Sequence, residues 1–163
     1  MPFPAPFGER WEHLTLTDVE AFLATAGEEA LTWECKAGRA RPEQVVRTAA
    51  GFANSELGGY LILGVDWVGG AWVLTGADLV PDVTAWLGTA VDRLAPRPHH
   101  DARTFTIEAT GARIAVLAIE PVDVPPCLTT RRRCLRARGR TDRSGAGSGA
   151  PGDPVRPRRG GRA

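Results

Sequence analysis

The chain has 163 residues, 43% hydrophobic and 24% charged, which suits one globular domain with a real core. It has no apolar run long enough to span a membrane, and MPFPAPFGERWEH at its start lacks leader features, so a cytoplasmic protein without membrane contact is expected. The formal charge of +1 hides an asymmetry: residues 1–130 hold 9 Lys/Arg against 17 Asp/Glu, a net of −8, whereas residues 131–163 hold 11 Arg against 2 Asp, a net of +9. A basic segment on an acidic body fits a polyanion partner, or attraction between the two parts within one chain or in a homo-oligomer.

In chain order, the proline-rich residues 1–14 predict a loosely ordered N-terminus. Thr17, with Glu20 three positions on, reads as a capping box that opens a short helix through Ala24. Leu31 to Lys36 alternates and predicts a strand, with Leu31, Trp33 and Cys35 on its apolar face and Thr32, Glu34 and Lys36 on the other. Pro42 opens a helix whose packing face is Val45, Val46, Ala49, Ala50 and Ala53. The stretch from Gly51 to Asp66, GFANSELGGYLILGVD, ends that helix, turns on Gly58-Gly59 and enters a strand apolar enough to be buried on both faces. Asp66 closes the strand. Gly69-Gly70 then predicts a turn into Ala71–Leu74 as a hairpin partner. A further helix is expected over residues 81–94, followed by a hairpin of residues 104–109 and 113–119. Pro125-Pro126 breaks the pairing, residues 134–138 suggest an edge strand, and residues 143–163 have the composition of a disordered tail. The expected fold is a single α+β domain over residues 15–142, with a mixed or antiparallel sheet and packed helices.

Cys35, Cys127 and Cys134 are too few and too scattered for a disulfide framework or a zinc site, and read as free thiols. His99 and His100 are neighbours on one chain segment, which is poor spacing for a metal. Gly58-Gly59 precedes a strand, whereas phosphate-binding glycine loops follow one, and no P-loop motif occurs, so ATP hydrolysis is not expected.

Two constellations could carry chemistry. Glu34 and Lys36 share a strand face, and Asp66 ends another strand. Two carboxylates can hold a divalent cation and a lysine can stabilise charge on a phosphate, with Glu29 completing the cluster. The same residues also read as a solvated strand face with an ordinary ion pair. The second constellation is Arg131, Arg132, Arg133, Arg136, Arg138 and Arg140. On an extended chain the last three project from one face at ~7 Å steps, which suits a phosphate backbone. No aromatic pair or zinc knuckle separates DNA from RNA. Binding of this kind needs no cofactor.

The block FAN…GGYLILGVD resembles the Schlafen AlbA-like domain, a nucleic-acid-binding domain common in bacteria. The similarity extends over about residues 28–142. It takes in the acidic entry at Glu29, the E-x-K strand at Glu34 and Lys36, the Pro125-Pro126 step and a following strand bearing Arg136. The resemblance implies an AlbA-type α+β fold, DNA or RNA as partner and, in the nucleolytic members, a Mg²⁺- or Mn²⁺-dependent RNase site. By motif position that site falls on Glu29, Glu34 and Asp66, with Lys36 beside it. Cys35 stands where relatives carry an aromatic, and Trp67 where a second acid is common.

Overall fold

The computed structural model describes residue 3 and residues 5–38, 40–78 and 80–130. The expected edge strand at 134–138 and the expected disordered tail lie outside them. At the centre is a mixed four-stranded sheet in the order β1-β2-β7-β6, formed by β1 (Trp33–Lys36), β2 (Gly59–Leu63), β7 (Arg113–Ile119) and β6 (His100–Thr106). β1 and β2 run parallel, with Trp33 opposite Tyr60 and Lys36 opposite Leu63. Such a pair needs a crossover, and α2 (Pro42–Ala53) supplies it. β7 lies antiparallel to both β2 and β6.

Alternation along the central strands divides the core into two layers. Leu61, Leu63, Ala115, Leu117 and Ile119 meet Val45, Val46, Ala49 and Phe52 of α2 and Leu87 and Val91 of α3 (Val83–Val91). Tyr60, Ile62, Ile114, Val116 and Ala118 point the other way, together with Trp33 and Cys35 of β1. That second face is covered by α1 (Leu16–Thr25) and by the segment before it. The expectation of a loosely ordered N-terminus is therefore corrected. Phe3, Phe7, Trp11 and Leu14 are buried, residues Gly8–His13 form a 3-10 helix, and the Trp11 indole N–H donates to Asp101 at 2.8 Å. An exposed apolar sheet face attracts these four large side chains more strongly than proline richness keeps the segment free.

Three other local expectations change. The capping box of α1 is Thr15 with Asp18, two residues before the Thr17–Glu20 pair. Asp18 takes the Thr15 N–H at 2.9 Å and hydroxyl at 2.6 Å, and the Arg10 guanidinium at 3.1 Å. Those bonds hold its carboxyl below the ordinary value, the Thr15 hydroxyl contributing most. Leu31 is 90% exposed, because the chain turns between Ala30 and Trp33 before β1 begins. Third, the apolar run through Asp66 is two strands. Gly64 has φ +89 and a Cβ there would stand 2.8 Å from the Gly76 carbonyl carbon, so the chain bends at the one residue type that fits. Beyond the bend, β3 (Val65–Val68) pairs with β4 (Ala71–Leu74) in a separate hairpin.

At the other end, β8 (Leu128–Thr129) pairs with β5 (Leu94–Ala95), and the Thr130 N–H donates to the Arg93 carbonyl at 2.8 Å. Asn54, which caps α2, fastens the same stretch: its Nδ2 donates to the Cys127 carbonyl at 3.1 Å and its Oδ1 accepts the Cys127 N–H at 2.6 Å.

Candidate functional site

β1 is the outermost strand of the sheet, and its polar face looks towards α2. Between them lies a cleft of about 660 Å³, lined from the strand side by Glu29, Ala30, Leu31, Trp33, Glu34 and Lys36. Gln44, Arg47, Thr48, Gly51, Phe52 and Ser55 line it from the helix side. The helical residues recur at spacings of three and four, so they form one stripe along α2 beside its buried stripe. Nothing in the sequence singles this stripe out, because one arginine among Gln44, Thr48, Gly51 and Phe52 gives no chemical signal until the facing strand is known.

Within the cleft Glu34 is held from two sides. One carboxylate oxygen pairs with the Lys36 ammonium, and the other accepts the Thr48 hydroxyl at 3.0 Å. Glu29 enters from the turn before β1, and its Oε1 accepts the Cys35 N–H at 2.7 Å. The Cys35 side chain points into the opposite layer, where burial pushes its thiol up to about 12. The negative charges of Glu29 and Glu34 add to that shift and Lys36 opposes it. A thiol so placed is a poor nucleophile, consistent with Cys35 and Cys127 as buried free thiols.

The structure brings Glu29, Glu34 and Lys36 into one cleft. Asp66 does not join them. It lies past the Gly64 bend, exposed on β3 opposite Val73, where its Oδ1 accepts the Trp67 N–H at 2.9 Å. Among the described residues no group of three His, Cys, Asp or Glu side chains stands close enough to hold a metal ion. The Glu29–Glu34–Asp66 set expected to share Mg²⁺ or Mn²⁺ is therefore not assembled there, and these donors as placed do not fit such an ion.

Arg131, Arg132, Arg133, Arg136, Arg138 and Arg140 all lie outside the described residues. Their point of attachment is described. The chain passes from Cys127, tied to Asn54, through β8 to Thr130 on the Arg93 carbonyl. The guanidinium of Arg93 in turn faces Glu43 in the first turn of α2 at 3.8 Å.

A mixed sheet with α2 and α3 on one face, a polar cleft at its edge strand and an arginine-rich continuation in sequence define an α+β domain with an open cleft beside β1. The sequence matches the family described as Schlafen, AlbA_2 over residues 29–147, and the chain belongs to that family. No curated protein matches it. Among the described residues no helix is long and apolar enough to cross a membrane.

Proposed function

We propose that the chain is a nucleic-acid-binding module of the Schlafen AlbA type, with DNA or RNA held through its phosphates by Arg131, Arg132, Arg133, Arg136, Arg138 and Arg140. The observation that carries this reading is where the charge sits. A segment of net +9 follows directly on a strand pinned to α2 and β5, while residues 1–130 carry −8. The acidic part repels a polyanion, so attraction falls to the arginines, and the pinned strand gives them a fixed origin. Arginine suits the task because its planar fork meets phosphate oxygens in pairs.

Counterion release makes this measurable. Affinity for single- and double-stranded DNA and RNA is expected to fall steeply with salt. Replacing Arg136, Arg138 and Arg140 by glutamine is expected to flatten the log–log slope by about 2–3 units. Unchanged binding by the triple variant would reject the assigned surface, and no binding at low salt would reject the module.

Binding stands ahead of cleavage in this reading because Asp66 sits apart from Glu29 and Glu34. A nucleolytic role keeps one supporting observation, the meeting of Glu29, Glu34 and Lys36 in a cleft of ligand size. Incubation with Mn²⁺ and a structured RNA, comparing Glu34→Ala and Asp66→Ala with the parent, decides it. Cleavage lost in both variants would restore the three-carboxylate site.

A further inference from the structure

Gly51 lies in the last turn of α2, at an exposed position where packing does not require glycine. A Cβ built on it meets no atom within 4 Å, and its φ is not in the left-handed region. Glycine is among the least favourable residues in a helix interior. What the missing side chain provides is open space on the α2 wall of the cleft. One turn earlier Arg47 is exposed and has no hydrogen-bond or ion-pair partner among the described residues. By contrast Lys36, Arg93 and Arg97 each face a carboxylate. Gln44 and Ser55 extend the same wall with neutral polar groups, and the 90% exposed Leu31 forms an apolar lip opposite.

We infer that this wall receives one nucleotide of a single-stranded nucleic acid, its phosphate on Arg47 and its sugar edge passing close over Gly51. The inference rests on the nucleic-acid reading above and names the strand state that the cleft selects. About 660 Å³ falls among cavities that enclose a small ligand, commonly ~300–1,000 Å³. A duplex keeps its bases stacked inside and cannot place one in such a space, whereas a single strand can. With Glu34 paired to Lys36 and accepting from Thr48, and Glu29 bonded to the Cys35 N–H, a phosphate at the Arg47 end meets a cation that has no partner among the described residues.

The test uses the full chain and labelled oligo(dT) and oligo(U), with a mixed-sequence duplex alongside. Arg47→Gln is expected to weaken single-strand binding about tenfold and to lower the salt slope by about 0.7, leaving duplex affinity in place. Gly51→Ala and Gly51→Leu are expected to raise the melting temperature, since both residues favour a helix, while weakening single-strand binding, leucine more than alanine. That opposition separates a filled cleft from a damaged fold. Single-strand binding by Arg47→Gln and Gly51→Leu equal to the parent's would overturn the inference. If the parent binds and only the Arg136, Arg138 and Arg140 replacements matter, the cleft assignment alone falls. If the parent binds no nucleic acid, both readings fall together.

Discussion

Glu29 Oε1 accepts the backbone N–H of Cys35 at 2.7 Å, on the side of β1 that faces no other strand. The parallel ladder to β2 uses the Thr32 and Lys36 carbonyls, so Trp33 and Cys35 turn their N–H groups outward. Trp33 donates to the Ala30 carbonyl at 3.2 Å and Cys35 to Glu29, which together close the edge against a further strand. Glu29 thus has a structural task that needs no metal.

Glu29→Ala is expected to cost about 1 kcal/mol, below the usual range for a bond to a charged group because Glu29 is exposed. Glu29→Gln, which still offers an acceptor, should recover most of it in urea denaturation. The alanine variant should also self-associate more readily, read by light scattering. Equal stability of parent and alanine variant would remove the edge-closing role.

Thr48 is the buried partner of Glu34, at 8% exposure. Thr48→Val keeps the shape and removes the donor, and is expected to cost about 1 kcal/mol, since water reaches the carboxylate in part. Thr48→Ser should be close to neutral. Denaturation curves for the pair test this, and a valine variant as stable as the parent would show that the hydroxyl is dispensable.

Cys35 carries a pH signature. Its folded thiol titrates near 12, and an unfolded one near about 8.5. As pH rises the unfolded chain loses this proton first. The contribution to stability is therefore intact below about 8.5 and is lost progressively towards 12. Cys35→Ala should flatten the fall in melting temperature across that window. Iodoacetamide at neutral pH should leave Cys35 and Cys127 unmodified until urea unfolds the chain, as peptide mass mapping would report. Labelling of Cys35 in the folded chain would contradict its burial.

Trp11 is 2% exposed, makes the 2.8 Å bond to Asp101, and lies under the Arg103 guanidinium at 5.4 Å from its ring. Trp11→Ala is expected to destabilise by about 3–5 kcal/mol, the range for a large aromatic removed from a core. A loss below 1 kcal/mol would mean that the N-terminal segment is only loosely attached.

Periodicity in the sequence made the central layers legible. Val45, Val46 and Ala49 and the alternating residues of β2 and β7 all fall where their spacing puts them. The parallel pairing of β1 with β2 is allowed by a helix of crossover length between the two strands, but the structure is what shows it. What escaped was conformation at single residues. Gly64 looks like any small residue in an apolar run until the Gly76 backbone is seen against it, and beyond that bend Asp66 belongs to a separate hairpin. The burial of Phe3, Phe7 and Trp11 depends on a sheet face formed some fifty to a hundred residues later, which no local pattern announces. Thr17 with Glu20 matches the Thr-x-x-Glu pattern, whereas the cap is Thr15 with Asp18, and Arg10, eight residues from Asp18, adds a contact that no local motif contains.

The family match begins at residue 29, yet Phe3, Phe7, Trp11, Leu14, Val19 and Leu23 form much of one of the two core layers. Shared ancestry and cooperative folding thus have different borders in this molecule. In this chain, residues ahead of the matched span keep water off the sheet face of Tyr60, Ile62 and Val116. Cutting this chain back to the matched span would leave one apolar face of its central sheet open to water.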